Sequence, residues 1–274
     1  MTSEDWQPDG VDLQRPNVAR VYDYYLGGSH NFAADREMAR RAIALWPDLP
    51  KIIRANRAFL QRAVAFLADS GVRQFVDLGS GMPTAGSVHE VARARDPGAR
   101  VVYVDIDPVA VEHARLILRD EPGTAVVRAD LREPQSVLRD PLLLDVCDLS
   151  QPVAVLMVAV LHFVPDSDDP AGIIAAYHDA LAPGSYLAIS HASGDAQDPE
   201  QAADHRALYA RTGATMTMRS AGEITRMLGA WRLVEPGLVP MPLWRPNDDD
   251  EVPEDADQMA GYAGVARKLD ANAA

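Results

Sequence analysis

The sequence predicts a doubly wound α/β fold, in which a mostly parallel sheet of seven strands is preceded by an N-terminal helical lid. Short apolar runs alternate with segments of helical periodicity from residue 74 onward, as expected for strands joined by helical crossovers. Residues 15–70 show helical periodicity and no strand pattern. The predicted strands lie at residues 74–78, 100–105, 125–128, 151–163, 185–191, 231–239 and 261–268.

The N-terminal region divides into a polar terminus and three predicted helices. Residues 1–14 are polar and rich in aspartate, which predicts a mobile terminus. Helices are predicted over residues 20–26 and 33–46. A stronger helix is predicted over residues 52–69, because its apolar side chains can hold it against the sheet, and Gly71 ends it.

The length of 274 residues is within the reach of one α/β core with an added lid. We therefore predict a single domain spanning residues 1–274. Within it, residues 15–70 form the lid and residues 71–268 form the ligand-binding core.

The first predicted strand runs directly into a glycine turn, Asp77-Leu78-Gly79-Ser80-Gly81. Glycines here let a ligand approach the main chain, just before a helix whose first amides are unpaired. A dinucleotide site would need a third glycine where this chain has Thr84. Asp77 suits a ligand with a positive group, such as S-adenosylmethionine with its ammonium and sulfonium. The alternative is a turn that binds nothing.

The second strand ends in a carboxylate at the distance from the glycines where nucleotide folds place a ribose-binding acid. Asp105 is that residue, and it can accept charge-assisted hydrogen bonds from both ribose hydroxyls. Ile106 is predicted to lie on the adenine face. The alternative for Asp105 is to cap the next helix, a role that Asp107 fills better because it directly precedes Pro108.

The third and fourth strands end in further candidates at the same edge of the sheet. Asp130 can accept a hydrogen bond from an adenine amino group and Leu131 can offer a backbone amide, although a solvated loop aspartate is an equal alternative. The run from residue 151 to 163 is too short to span a bilayer and is typical of a strand buried on both faces. Val158 and Ala159 at its end should therefore face the ligand.

These motifs resemble class I S-adenosylmethionine-dependent methyltransferases, which have a Rossmann-like fold. Residues 15–28, the pattern Asn31-Phe32-x-x-Asp35 and the pattern Asn56-Arg57-x-Phe59-Leu60 resemble more closely a bacterial family of S-adenosyl methyltransferases, formerly a domain of unknown function. The resemblance extends from about Arg15 to Lys268. It implies S-adenosylmethionine as the cofactor and leaves the methyl acceptor unnamed. Pro83 stands where the broad class often has a last glycine, which predicts a stiffer loop.

The lid supplies three more predicted cofactor-binding residues, Tyr22, Asn31 and Arg57. Because the cofactor in an open sheet has one exposed side, the N-terminal helices are predicted to cover it and exclude water. Arg57 can pair with the cofactor carboxylate through a bidentate fork. The alternatives are a helix-core role for Tyr22 and a surface charge for Arg57.

His162 is the predicted general base, because a histidine titrates near neutral pH and could take a proton from an acceptor oxygen or nitrogen. The alternative is a histidine satisfied at the rim of a buried strand. His30 and His191 are weaker candidates. No metal is predicted, because the histidines are scattered and no Cys/His cluster exists.

The charge balance makes nucleic acid an unlikely partner. Lys and Arg number 26 against 40 Asp and Glu, which gives a net charge of −14, so a polyanion would be repelled. Cys147 is the single cysteine and excludes an internal disulfide. No N-terminal targeting pattern is present, so a cytoplasmic location without a membrane is predicted.

The predicted function is transfer of a methyl group to a small-molecule acceptor. The first alternative is an S-adenosylmethionine-binding protein without transferase activity, acting as a sensor or partner-binding module. The second is a nicotinamide oxidoreductase. Residues 192–220 interrupt the strand and helix alternation, and their aromatic, methionine and arginine content suits either a cap over a substrate pocket or a surface helix.

Overall fold

The computed structural model describes residues 13–84, 86–195, 199–210, 215–248 and 250–270. Most of the predicted mobile terminus lies outside these residues. One sheet forms the centre of the molecule. Its strands are β1 (Gln74–Leu78), β2 (Arg100–Asp105), β3 (Thr124–Arg128), β4 (Ala154–Val158), β5 (Tyr186–His191), β6 (Arg232–Leu233), β7 (Val239–Pro240) and β8 (Tyr262–Arg267).

Helices precede the sheet and fill most of its connections. They are α1 (Val18–Tyr25), α2 (Ala33–Leu45), α3 (Leu49–Asp69), α4 (Val88–Arg95), α5 (Pro108–Ile117), α6 (Pro134–Leu138), α7 (Pro141–Val146), α8 (Pro170–Ala180), α9 (Pro199–Tyr209) and α10 (Ala221–Met227). No helix within the described part of the chain has the length and apolar character needed to cross a bilayer.

The strand order is β3-β2-β1-β4-β5-β8-β6, with β7 also paired to β8. Strands β1 to β5 are parallel, and β8 runs antiparallel between β5 and the last pair. The order reverses direction between β1 and β4, which is where open α/β sheets bind their ligands. The predicted doubly wound, mostly parallel sheet is confirmed.

The sheet has eight strands where seven were predicted, because the predicted sixth strand is divided. The chain turns between β6 and β7, where the Gly237 N–H donates to the Val234 carbonyl at 2.8 Å, an ordinary hydrogen-bond distance. Pro236 lies in this turn and has no N–H for a strand ladder. Both short strands pair with the edge of β8 that faces away from β5, so the eight strands occupy seven positions.

Apolar side chains cover both faces of the sheet, which explains the continuous hydrophobic runs of the parallel strands. One cluster joins the sheet to α3, α4 and α5, with Phe59 and Trp244 fully buried in it. The other joins the opposite face to α6, α7, α8 and α10, with Leu143 and Tyr177 fully buried. The core thus holds the strand ends in fixed positions.

A third apolar cluster joins the N-terminal helices α1 and α2 to α9. Tyr209 and Met216, from the segment whose role was left open, are buried in it. The Tyr25 and Tyr209 hydroxyls lie 3.1 Å apart within this cluster. The segment after β5 therefore packs with the lid helices as one apolar layer above the sheet.

A buried ion pair fixes α1 against α2. Arg20 Nε lies 3.0 Å from an oxygen of Asp35, and both side chains are almost fully buried. The same carboxylate accepts hydrogen bonds from the backbone N–H groups of Asn17 and Phe32, each at 2.9 Å. Removal of one partner would leave an uncompensated buried charge, which is strongly unfavourable. These residues of the N-terminal motif therefore set the position of α1.

Candidate functional site

A cavity of about 460 Å³ lies at the carboxyl ends of the parallel strands β1 to β4. Its walls combine these strand ends with α1 and α3. Of the cofactor-binding residues predicted from the sequence, the cavity brings together Tyr22, Arg57, Asp77, Gly79, Ser80, Gly81, Asp105, Ile106, Asp130, Leu131, Val158 and Ala159.

The glycine turn at the end of β1 forms the floor of this cavity. Gly79 has φ +69° and Gly81 has φ +60°, values that favour glycine. A Cβ added to Gly79 would collide with the Val160 side chain. The N–H groups of Gly79 and Ser80 both donate to the Val104 carbonyl, at 2.8 and 3.1 Å. The turn is therefore anchored to β2.

The helix expected directly after the glycines begins later than predicted. The next helix, α4, starts at Val88, and Glu90 accepts hydrogen bonds from the N–H groups of Gly86 and Ser87. Glu90 therefore occupies the N-terminal end of α4. The expectation that unpaired helix amides directly follow the glycines was wrong. Pro83 lies in the irregular stretch between, where it cannot donate a helical hydrogen bond.

Asp105 links the glycine turn to the end of β2. Its Oδ2 accepts from the Gly81 N–H at 2.7 Å and its Oδ1 accepts from the Asp107 N–H at 2.8 Å. Each oxygen has a second lone pair, so the carboxylate can still accept from a ligand. Burial raises the pKa of Asp105 to about 6, against the opposing effect of these backbone hydrogen bonds. Ile106 beside it is 57% exposed at the cavity wall.

Asp107 caps α5, as expected from its place before Pro108. Its Oδ1 accepts from the Val109 N–H at 3.1 Å. Both Asp105 and Asp107 line the cavity, but only Asp107 caps a helix.

Asp77 and Arg57 form the charged end of the cavity. Asp77 is only 6% exposed, and burial raises its pKa to about 7, while the Arg57 cation opposes this shift and Asp105 adds to it. Arg57 Nε is buried and has no hydrogen-bond partner within the described residues. A buried donor without a partner is unfavourable until a ligand supplies an acceptor. The two residues suit a ligand that carries both an ammonium and a carboxylate group.

Asp130 lines the cavity, but its carboxylate is already engaged. Arg132 donates to it from Nε at 2.9 Å, from Nη2 at 2.6 Å and from its backbone N–H at 2.9 Å. Burial raises the pKa of Asp130, and the hydrogen bonds from Arg132 outweigh this and hold it below the usual value. Arg132 lies two residues after Asp130, and this spacing in the sequence favours a local Asp–Arg pair over the predicted adenine contact.

Asn31 and His162 do not line this cavity. The Asn31 side-chain amide donates to Asp23 Oδ2 at 2.8 Å and to the Gly28 carbonyl at 2.9 Å, which places it inside the turn after α1. His162 lines a second, smaller cavity of about 70 Å³, where its Nδ1 accepts from the Ala192 N–H at 3.4 Å. Cofactor contact by Asn31 and base catalysis by His162 stay predictions.

A chain of polar groups between the two cavities was missed in the sequence. The Ala159 N–H donates to Ser190 Oγ at 2.9 Å, and this hydroxyl donates to Asn56 Oδ1 at 2.5 Å. The Asn56 amide then donates to the Tyr22 hydroxyl at 2.7 Å. Ser190 lies at the carboxyl end of β5, and this position in the strand was the available signal.

Comparison with solved structures finds two close matches. A candidate methyltransferase from Thermobifida fusca YX is 41% identical, with a TM-score of 0.90 over 97% of this chain and 100% of that one. A DUF574 family protein from Streptomyces avermitilis MA-4680 is 38% identical, with a TM-score of 0.88 over 94% and 99% of the two chains.

A more distant match shares the fold alone. It is the N-methyltransferase NodS from Bradyrhizobium japonicum WM9 in complex with S-adenosyl-L-homocysteine, 16% identical with a TM-score of 0.50 over 92% of this chain and all of that one. The search among curated proteins finds no match.

The family model described as S-adenosyl methyltransferase matches residues 4–269, nearly the whole chain. The family predicted from the N-terminal motif and the glycine turn is thereby confirmed, together with its cofactor. The chain belongs to the S-adenosyl methyltransferase family and is an S-adenosylmethionine-dependent methyltransferase.

Proposed function

We propose that this methyltransferase acts on a small-molecule acceptor. The observation that carries the proposal is the partial cover of the cofactor cavity. Val18, Ala19 and Tyr22 of α1 cover one side of the cavity, and Phe163 and Thr215 form part of its wall. A cavity of about 460 Å³ between packed helices and strand ends suits a compact substrate better than a protein or nucleic-acid surface.

The charge of the molecule supports the same proposal. With a net charge of −14, the protein repels polyanions, and Asp77 and Asp105 add negative charge inside the cavity itself. The predicted exclusion of nucleic acid as the acceptor therefore forms part of the proposal. The single domain and the cytoplasmic location stay predictions.

We assign each group of cavity residues to one part of the cofactor. Asp77 and Arg57 would hold its ammonium and carboxylate groups, because both line the cavity, they attract each other electrostatically, and the buried Arg57 Nε has no hydrogen-bond partner among the described residues. Asp105 would accept from the ribose hydroxyls, and Ile106 would cover the adenine. When bound, S-adenosylmethionine supplies an activated methyl group, so the protein contributes mainly alignment and exclusion of water.

Affinity for S-adenosylmethionine is expected to rise with pH between about 5 and 7.5. The pKa values of Asp77 and Asp105 are raised to about 7 and about 6, so both carboxyls are largely protonated at pH 5. A cationic ligand binds the ionised form more tightly, so affinity is lost as pH falls through these values. Titration calorimetry at pH 6.5, in buffers of different ionisation enthalpy, should show that protons are released on binding.

Two variants test whether Asp77 is the group that titrates. Asp77→Asn should reduce the proton release, because the amide does not ionise. Arg57→Gln should move the pH dependence upward, since Arg57 lowers the pKa of Asp77. Proton release that is unchanged in both variants would contradict this assignment.

The proposed acceptor class is tested by incubating the protein with methyl-labelled S-adenosylmethionine and a bacterial extract. The extract is separated into small-molecule, protein and nucleic-acid fractions. Label should appear in the small-molecule fraction, and the Asp105→Ala variant should reduce it. Label confined to a macromolecular fraction would overturn the proposal.

A further inference from the structure

The second cavity lies directly against the cofactor cavity. Val18, Tyr22, Asn56, Ala159 and Phe163 line both. The two spaces therefore share a wall, and a molecule in the second cavity would reach the cofactor cavity past Tyr22 and Phe163.

The lining of the second cavity is mainly apolar and aromatic, with the polar side chains of Asn56, His162, Ser190 and His191 among it. None of the described residues that line it is Asp, Glu, Lys or Arg. The thioether side chains of Met216 and Met218 are polarisable and make favourable contacts with aromatic rings. Its main apolar residues are Tyr25, Trp46, Ile53, Tyr209, Met216 and Met218.

Two histidines, His162 and His191, line this cavity, and His191 contributes no charge at neutral pH. Burial lowers the pKa of His191 to about 4. Its Nδ1 donates to the Ala192 carbonyl at 2.7 Å, and its Nε2 accepts from Arg219 at 2.9 Å. The Arg219 cation is in turn paired with Asp166 at 2.7 Å. A charged ligand would meet no carboxylate, ammonium or guanidinium group among the described residues that line this cavity.

The size of the second cavity limits its occupant. Its volume is about 70 Å³, whereas a dry cavity of roughly 150 Å³ takes up one benzene ring. The occupant of this cavity is therefore no larger than one ring, and a ring that enters it extends past Tyr22 into the adjoining cofactor cavity.

The shared wall provides one directed hydrogen-bond donor. In the chain from Ala159 through Ser190 and Asn56, each group donates to the next, and the chain ends on the oxygen of the Tyr22 hydroxyl. The hydrogen of that hydroxyl is not used in the chain. Burial raises the pKa of Tyr22, so the hydroxyl keeps this hydrogen at neutral pH.

We propose that the second cavity binds the methyl acceptor, and that the acceptor is a neutral molecule with one apolar ring and a hydrogen-bond-accepting oxygen or nitrogen beside Tyr22. This inference rests on the proposed function and names the chemical class of the small molecule. In this proposal Met216 and Met218 form part of the surface that binds the ring.

The test uses three probes of similar shape and different charge: 4-methylphenol, 4-hydroxybenzoate and 4-hydroxybenzylamine. Each is titrated into the protein saturated with S-adenosylhomocysteine, and the methionine methyl groups are followed by NMR after isotopic labelling. The neutral probe should shift the Met216 and Met218 signals and bind at least tenfold more tightly than either charged probe. Met157, which is fully buried and does not line the cavity, should not shift.

Cavity-filling variants provide the structural control. Ile53→Trp should abolish 4-methylphenol binding and keep S-adenosylhomocysteine affinity within twofold. Ala260→Leu fills the same cavity with a smaller change and serves if the first variant does not fold. Leu142→Trp, at a half-exposed position on α7, should leave both affinities unchanged.

The outcomes separate this inference from the proposed function. Equal binding of charged and neutral probes, or no shift of Met216 and Met218, would overturn the ring-binding role while S-adenosylhomocysteine still binds. Label found only in macromolecules in the extract experiment would instead overturn the small-molecule acceptor.

Discussion

Replacing Asp105 with alanine is expected to weaken S-adenosylmethionine binding by about 1.5–3 kcal/mol, or roughly 10- to 150-fold. The carboxylate is 8% exposed, lines the cofactor cavity and holds the Gly81 N–H at 2.7 Å. Alanine would remove the acceptor proposed for the ribose and the contact that orders the glycine turn. Titration calorimetry on the purified variant measures the loss directly.

Asp140→Ala is the matched control for this prediction. Asp140 accepts from the N–H two residues ahead, at Leu142, just as Asp105 accepts from Asp107, but it does not line the cavity. Its removal should leave cofactor affinity unchanged. Unaltered affinity in the Asp105→Ala variant would refute the ribose assignment.

Gly79→Ala is expected to reduce the stability of the protein substantially and to abolish measurable cofactor binding at ordinary concentrations. The left-handed backbone at φ +69° costs a side-chain-bearing residue about 1–2 kcal/mol. The collision of the new Cβ with Val160 adds an overpacking cost of about 1–3 kcal/mol. Urea unfolding measures the free energy of unfolding, and calorimetry measures the binding.

Gly229→Ala separates these two costs. Gly229 has φ +55° with no atom within 4 Å of the added Cβ, so this variant has the backbone cost without the collision. It should lose less stability than Gly79→Ala and retain cofactor binding. Equal losses of stability in the two variants would show that the contact with Val160 is unimportant.

The central strands could be predicted because they are buried on both faces and therefore appear as continuous apolar runs. The divided sixth strand could not be predicted in the same way. Val234 and Leu238 continue the apolar pattern across Pro236 and Gly237, but the turn between them ends the first ladder. The pattern of apolar residues indicates which side chains are buried, but it does not indicate which backbone groups form hydrogen bonds with each other.

The site residues that were placed well are those that directly end a strand. Asp77 and Asp105 are positioned by the sheet itself, so their order along the chain was sufficient. His162 follows a reversal of the chain, because Ala159 adopts φ +56° and a short 3₁₀ helix begins at Leu161. This local geometry turns the histidine toward the second cavity.

Asn31 and Ser190 show the limit set by tertiary contacts. Asn31 was a reasonable candidate from the motif, but its amide is held by Asp23 in the same turn. Ser190 gave no motif at all, and its role depends on Asn56, which lies 134 positions away in the chain. Contacts between distant positions cannot be inferred from the pattern of a single sequence.

The antiparallel strand β8 has a consequence for the way the molecule is made. It is the last strand within the described residues, yet it lies between β5 and the short strands β6 and β7. During synthesis the first four strands can pair as they emerge from the ribosome, while the free edge of β5 stays open until residues 262–267 arrive. Unpaired strand edges promote association between chains, so the nascent chain is open to such association until β8 pairs with β5.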